Sequence, residues 1–229
     1  MKRVRGQMSE SFVLGALLAI VGGFLDVYTY LCRGGVFANA QTGNIVLLGL
    51  DLSQGKWAHA LRYLLPIAAF AFGVIAVELI RGHYQGKQDR DINIHWRQVV
   101  VLAELILLAV TAFAPQAYNM AVNTAVSFVC AMQVESFRKV QGSAFATTMC
   151  TGNLRSGTEQ LVIWRRNGDV NARRRGLVYY SIILFFILGA VVGGMLTGWF
   201  AEKAVLAACA LLTVVFCVMF VKEEENIRE

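Results

Sequence analysis

Two long uncharged runs in the second half of the chain constrain the fold more than any other feature. Residues 177–200 and 204–221 contain no charged side chain. A helix needs about 20 apolar residues to cross a hydrocarbon core of about 30 Å, so the first run is long enough and the second just reaches that length. Charged residues make up 16% of the whole chain, whereas soluble domains carry roughly 25%. The sequence therefore predicts an all-α integral membrane protein.

Apolar segments and a recurring tripeptide indicate an internal repeat. Thr-Gly-Asn occurs at residues 42–44 and again at 151–153, and the shift of 109 residues between the copies also aligns Asp26 with Glu135. We therefore predict one membrane domain, residues 1–229, built from repeats near 1–115 and 116–229. Hydropathy predicts eight apolar segments, at about residues 11–32, 36–50, 63–80, 98–114, 119–137, 142–154, 177–200 and 204–221.

The basic residues distinguish between two topologies, because Lys and Arg are enriched in cytoplasmic loops. With the N-terminus inside, eight crossings would place eight of the 21 basic residues outside and twelve inside, and would bury Arg155. Six crossings with two re-entrant Thr-Gly-Asn segments leave only four outside, namely Arg33, Lys56, Arg62 and Lys203. The sequence therefore predicts six transmembrane helices plus two broken or re-entrant helices, inverted halves and cytoplasmic termini.

The Thr-Gly-Asn segments have the composition of helix ends. Gly and Asn disfavour helix interiors, and Asn and Thr oxygens can satisfy the free N–H groups of a helix end. Arg155 and Glu159 end the second run after about thirteen uncharged residues, which is short of a membrane span. Paired helix breaks near the midplane are typical of solute sites in transporters with inverted repeats. The alternative is that the tripeptide only permits close helix packing or a tight turn.

Two acidic residues lie inside predicted helices. A charge at membrane depth is costly and usually faces the bundle interior or a wet cavity, so Asp26 and Glu135 could bind a cation or titrate. Alternatively, each lies near an interface and is solvated or paired with Arg33 or Arg138. Glu104 has no acidic counterpart in the last helix and is interpreted as an isolated partner of a basic residue. The predicted substrate-binding residues are Asp26, Asn39, Thr42, Gly43, Asn44, Gln133, Glu135, Thr151, Gly152 and Asn153.

Several of these residues carry a family resemblance. The run from Gly23 to Tyr28 (GFLDVY), the run from Phe37 to Asn44 (FANAQTGN), Gln133 and the second Thr-Gly-Asn resemble the YoaK-like family of bacterial inner-membrane proteins. The resemblance covers nearly the whole chain and implies a compact multi-pass protein of the bacterial inner membrane. It implies no activity, because the family has none established. This chain departs from the family at Glu135, where relatives often carry Asn near this position.

Other protein classes are disfavoured by the sequence. The net charge of +6 comes from short basic clusters beside apolar segments, which is a topology signal and not a nucleic-acid surface. The three histidines lie in predicted loops without metal-ligand spacing, and no hydrolase, P-loop or dinucleotide motif is present. We therefore predict no catalytic residue, metal or cofactor.

A small-solute or ion transporter or channel is the favoured function. The alternative is a non-transporting membrane protein, either an intramembrane enzyme or an assembly partner. The predicted partners are the lipid bilayer and an unidentified small solute or ion, with no nucleic acid. Gly189-x-x-x-Gly193 and Gly194-x-x-x-Gly198 have the spacing of helix packing, and Gly-rich helix faces are also compatible with a homodimer.

Overall fold

The structure is a computed structural model that describes residues 12–85, 96–140, 143–144 and 150–219. These residues are helical apart from two 3₁₀ turns (Gln116–Tyr118, Ala201–Ala204), connecting loops and one antiparallel pair of two-residue strands (Lys139–Val140, Ser143–Ala144). The predicted all-α class is confirmed. The helices are α1 Phe12–Cys32, α2 Gln41–Ser53, α3 Trp57–Gln85, α4 Trp96–Thr111, α5 Asn119–Ser136, α6 Cys150–Asn167, α7 Val170–Phe200 and α8 Val205–Val218.

Helix length and exposure both fit a membrane. Three stretches of the described chain are long and apolar enough to cross a bilayer: Phe12–Cys32, Trp57–Tyr84 and Val170–Val218, the last covering α7 and α8. The second and third leave most of their apolar surface outside the protein core, and their exposed residues include Phe72, Leu79 and Leu184. Contiguous apolar surface of this kind is rare on soluble proteins and is matched to lipid.

Helix α1 is the centre of the bundle. It is mostly buried, and it packs against α5, α7 and α8, while α5 in turn packs against α3 and α4. Because side chains from several helices meet around α1, its apolar residues face protein on most sides. The core includes Leu14, Leu18, Phe24, Tyr28, Leu108, Val126 and Leu212.

Small residues bring α1 and α7 into backbone contact. A Cβ on Gly189 would overlap the carbonyl group of Ile20, and a Cβ on Gly23 would overlap the carbonyl oxygen of Phe186. A Cβ on Gly193 would lie 2.9 Å from the Cα of Phe24. The packing role predicted for Gly189-x-x-x-Gly193 is therefore confirmed. Positions in contact advance together along both helices, so α1 and α7 run parallel.

Helices α1 and α5 run in opposite directions. The Gln133 side chain donates to the carbonyl of Leu18 (3.0 Å), and the Asn123 side chain donates to the carbonyl of Arg33 (2.7 Å). Gln133, the later of the two α5 residues, thus contacts Leu18, and the earlier Asn123 contacts Arg33, which directly follows α1. We call the two ends of the bundle the Arg33 end and the Glu135 end.

The helix contacts keep the same pattern when the two halves are exchanged. Helix α1 packs on α7 as α5 packs on α3, α2 packs on α3 as α6 packs on α7, and α1 packs on α8 as α5 packs on α4. Helices α4 and α8, which occupy corresponding places in the halves, pack on each other. The packing partners of α1–α4 thus correspond to those of α5–α8.

The sixth segment differs from its predicted bounds. Hydropathy placed it at about 142–154, whereas α6 begins at Cys150 and continues through Arg155 and Glu159 to Asn167. Both charged side chains are exposed, so they lie on the outer face of the helix and do not end it. Residues 145–149 lie outside the described residues. The two charged residues mark the end of the apolar run, but the helix continues beyond them.

The α1–α7 contact predicts opposite effects of one substitution at two glycines of α7. Gly189→Ala is expected to lower the free energy of unfolding by about 1–3 kcal/mol, because the added methyl group must displace the α1 backbone. Gly198→Ala is the control, because nothing lies within 4 Å of the added Cβ. It is expected to be neutral or slightly stabilising, since Ala favours helix. Unfolding in mixed detergent would measure the free energy of unfolding of both variants. Equal changes in the two would contradict the close α1–α7 contact.

Candidate functional site

Residues 33–56 enter the bundle and return to the same end. Helix α1 ends at Cys32, and Gly34 and Gly35 adopt positive φ angles of 88° and 79° that let the chain reverse. The following irregular segment reaches back to Asn39, whose side chain donates to the carbonyl of Gly22 (3.1 Å). Helix α2 then returns to the Arg33 end, where Asp51 near its end bonds His59 at the start of α3.

The Asp26 carboxyl accepts hydrogen bonds from the backbone at the start of α2. Its Oδ1 atom accepts the backbone N–H groups of Asn39 (2.6 Å) and Ala40 (3.4 Å), which immediately precede α2. The N-terminal end of a helix carries partial positive charge and unpaired N–H groups. A carboxyl from α1 therefore caps α2 at a buried position, since Asp26 is only 6% exposed.

The first Thr-Gly-Asn holds α2 against the irregular segment that precedes it. The Asn44 side chain is fully buried, accepts the N–H of Phe37 (3.0 Å), and donates to the carbonyl of Phe37 (2.7 Å) and to Gln41 Oε1 (2.9 Å). A Cβ on Gly43 would lie 2.9 Å from the Phe37 ring, so glycine lets that ring lie against α2. Thr42 is exposed. Both amide hydrogens of Asn44 are therefore used within the chain, and its main contribution is to shape the site.

The second Thr-Gly-Asn occupies the same helical position as the first. Each tripeptide supplies the second to fourth residues of its helix, α2 or α6. Asn153 is buried like Asn44, while Thr151 and Gly152 are exposed. The thiol of Cys150, the first residue of α6, lies within electrostatic range of Asp26. Helix α2 therefore begins at this carboxyl, and α6 begins within electrostatic range of it.

Two amide side chains extend the site along one face of α1. Asn39 donates to the carbonyl of Gly22, and Gln133 donates to the carbonyl of Leu18. Leu18, Gly22 and Asp26 are spaced four residues apart and therefore lie on one face of the helix. Asn39 Oδ1 and Gln133 Oε1 have no hydrogen-bond partner among the described residues. They are acceptor groups available to a ligand or to water.

Glu135 lies away from this group. It pairs with Arg138 (2.6 Å) and lies 4.0 Å from Arg81 at the Glu135 end, where Arg138 also contacts Glu78 (3.0 Å). The repeat aligns Glu135 with Asp26, but α1 continues six residues beyond Asp26 whereas α5 ends one residue after Glu135. The structure therefore contains the alternative arrangement, in which Glu135 pairs with Arg138.

Arg33 has a structural role that its sequence context did not reveal. Its side chain is fully buried and donates to the carbonyls of Thr111 (2.9 Å) and Ala114 (2.9 Å) and to the side chains of Asn119 (3.2 Å) and Tyr28 (2.9 Å). The sequence placed it in an outside loop or beside Asp26. An arginine directly after an apolar helix and before two glycines was the available signal. It indicates a side chain that is folded back onto the bundle.

Two surface pockets lie elsewhere. One, of about 400 Å³, is lined by residues including Phe12, Arg173 and Arg174. The other, of about 670 Å³, lies along the outer face of α6 and is lined by residues including Thr151 and Arg155. Asp26 and Asn39 line neither pocket. The candidate site is therefore a buried polar region of the bundle, distinct from these surface depressions.

The apolar helices around a buried polar centre define a helical membrane protein. Residues 14–218 match the family described as "Protein of unknown function (DUF1275)", and the chain belongs to this family. It is also 27% identical over 190 residues to "UPF0700 transmembrane protein YoaK" of Bacillus subtilis (strain 168), which covers 77% of this chain and 80% of the relative. The YoaK-like resemblance is thus confirmed. No solved structure matches the chain, and neither description indicates an enzymatic activity.

The hydrogen bonds of Asn44 predict a stability effect that Thr42 does not share. Asn44→Leu removes three hydrogen bonds and leaves the backbone groups of Phe37 unpaired, which costs about 1–3 kcal/mol for each buried group. We expect a lower thermal unfolding midpoint in detergent. Thr42→Val, at an exposed position two residues away, is expected to leave the midpoint unchanged. Equal midpoints for Asn44→Leu and the unmodified protein would contradict a stabilising role of these hydrogen bonds.

Proposed function

We propose that this protein is a membrane transporter or channel for a small solute or ion, with its site where the two Thr-Gly-Asn helices begin around Asp26. The observation that carries the proposal is a buried carboxyl that accepts the N–H groups at the start of α2 and lies within electrostatic range of the start of α6. Half-helices that begin inside a bundle are the sites at which transporters with inverted repeats bind their substrates.

The proposed topology has six crossings, two re-entrant segments, inverted halves and both termini in the cytoplasm of a bacterium whose inner membrane holds the protein. The antiparallel directions of α1 and α5 support it, because these helices begin the two halves. Eight crossings would make them parallel. The matching helix contacts of the two halves support the repeat.

The depth of the site fits a solute pathway. Asp26 lies six residues before the end of α1, which is about 9 Å along the helix axis. Irregular backbone such as residues 33–40 is tolerated at membrane depth only where protein or a water-filled cavity surrounds it. The Asn39 and Gln133 side chains both donate to carbonyls of α1, and their own oxygens have no partner among the described residues. These groups make the centre of the bundle polar.

The helix directions indicate which solute groups the site favours. The N-terminal ends of α2 and α6 point inward, and such ends attract negative charge. Asp26 already supplies that charge to α2, which leaves the α6 end for an anionic or acceptor group of the solute. The acceptor oxygens of Asn39 and Gln133 suit donor groups. The proposed substrate class is therefore a small polar solute with both kinds of group.

Cysteine labelling distinguishes the two topologies at Gln54, an exposed residue between α2 and α3. In a background without the five native cysteines, Gln54→Cys is expected to react with an impermeant maleimide added outside the cell. Eight crossings would place it inside. Asn167→Cys, at the exposed end of α6 that leads into α7, is cytoplasmic in both topologies and is the control. Protection of Gln54→Cys from the outside reagent would contradict the re-entrant segment.

Flux measurements test the site with two equally buried acids. Asp26 and Asp51 are both 6% exposed, but Asp51 bonds His59 away from the two helix starts. In liposomes screened with small metabolites and ions, Asp26→Asn is expected to reduce flux at least tenfold, because the charge of the site is lost while the amide oxygen can still accept the N–H groups at the start of α2. Asp51→Asn should retain flux. Gel filtration would show that both variants are folded.

The outcomes of the screen are distinct. Absence of flux for every solute from folded, unmodified protein would contradict transport and favour a non-transporting membrane protein. Flux that Asp26→Asn and Asp51→Asn reduce equally would contradict the location of the site. Loss in Asp26→Asn alone supports it.

A further inference from the structure

We propose that Glu104, in the middle of α4, reversibly binds a proton and is the coupling-ion site of this protein; the coupling role rests on the transport function proposed above. Its side chain is fully buried. It lies eight residues after Trp96 and seven before Thr111, which is about 10–12 Å from either end of the helix. Water at the membrane surfaces is therefore distant from it.

Neither oxygen of the Glu104 carboxyl has a hydrogen-bond partner in the described part of the chain. The sequence favours a basic side chain as the partner of Glu104, but no ion pair with it is found among the described residues. A buried carboxylate that lacks both a cation and hydrogen-bond donors is very unfavourable in a low-dielectric interior. Glu104 therefore requires a ligand that brings positive charge.

The groups on the helices packed against α4 do not supply that charge. Helix α5 presents the Cys130 thiol, which lies within electrostatic range of Glu104. Helix α8 carries only the thiols of Cys209 and Cys217 as titratable groups, and α3 carries no charged residue between Arg62 and Glu78. On α4 itself the only other charged residue is Arg97 in its first turn. At the Glu135 end, the acids and bases of α3 and α5 pair with one another, namely Glu78, Arg81, Glu135 and Arg138.

A proton fits this environment better than a metal ion. The described residues contain no group of three His, Cys, Asp or Glu side chains that could hold a metal, and hard cations require six or more oxygen ligands. A proton needs only one carboxyl oxygen. Its binding forms an O–H bond, removes the charge and converts Glu104 into a hydrogen-bond donor; its release to water on the other side restores the carboxylate.

Cys130 connects Glu104 with the solute site. Its thiol lies within electrostatic range of Asp26 and Glu104 and within hydrogen-bond reach of the Asn39 side chain. Asn39 in turn bonds Asp26 through its backbone and Gly22 through its side chain. The Cys130 thiol is therefore within electrostatic range of both the proton site and the carboxyl at the start of α2. A change in the charge of Glu104 acts on the same group of side chains that the solute contacts.

Infrared difference spectroscopy tests proton binding without any transport assay. The unmodified protein is expected to show the C=O band of a buried protonated carboxylic acid, and Glu104→Gln is expected to lack it. Glu78→Gln removes a partly exposed, ion-paired carboxyl and is the control that should leave the band unchanged. Glu104→Gln removes no hydrogen bond found in the described residues, so it should fold, which gel filtration would confirm. Persistence of the complete band in Glu104→Gln would overturn the proton site.

Accumulation in liposomes tests the coupling role. If one proton moves with each solute, a pH gradient of one unit concentrates the solute about tenfold. Glu104→Gln is expected to equilibrate the solute without accumulation, and Glu104→Asp should restore part of the accumulation. Tenfold accumulation by Glu104→Gln would overturn the coupling role while leaving transport intact. Absence of all flux from the unmodified protein would instead contradict the transport function, and the infrared result would still decide whether Glu104 binds a proton.

Discussion

The buried guanidinium of Arg33 determines how the ends of five helices meet. It donates to the carbonyls that end α4 and to the Asn119 side chain that begins α5, where the negative end of the α4 dipole favours a cation. Tyr28, which accepts from Arg33, donates to the carbonyl of Glu202 between α7 and α8 (3.1 Å). The Glu202 carboxyl accepts hydrogen bonds from its own backbone N–H and from Gln116, and these bonds, with the Arg33 charge, lower its pKa. A charge at this depth is stable because every nitrogen has a partner.

The candidate site depends on this arrangement. With Arg33 held against α4 and α5, the chain must leave α1 in a sharp reversal, which Gly34 and Gly35 permit. The reversal places Asn39 beside Gly22 and the start of α2 beside Asp26. Asn44 then closes the segment on Phe37. The carboxyl, the helix start and the unpartnered amide oxygens are thus brought together by backbone geometry that begins at one arginine.

Local chemistry made part of this site predictable. Asp26 inside an apolar run signalled a buried polar centre, and Thr-Gly-Asn signalled helix ends. Both tripeptides do lie at helix starts, at the same position in α2 and α6. The role of Asn44 was not predictable from the sequence, because Asn44 reaches the backbone of Phe37 only after the chain has reversed between α1 and α2. Glu135 illustrates the same limit: its alignment with Asp26 predicted a shared site, but the length of α5 beyond it decides where it lies.

The sequence by itself determined the membrane environment, the helical class and the approximate positions of the helices. These follow from composition and from apolar runs, which depend on the solvent that each segment must meet and not on distant contacts. Only the tertiary structure decided that α1 and α5 are antiparallel, that Arg33 is buried, and that Glu104 has no partner among the described residues. Such features depend on contacts between residues 80 or more positions apart, as between Arg33 and Ala114. The free energy of a buried charge is set by those neighbours and not by its own segment.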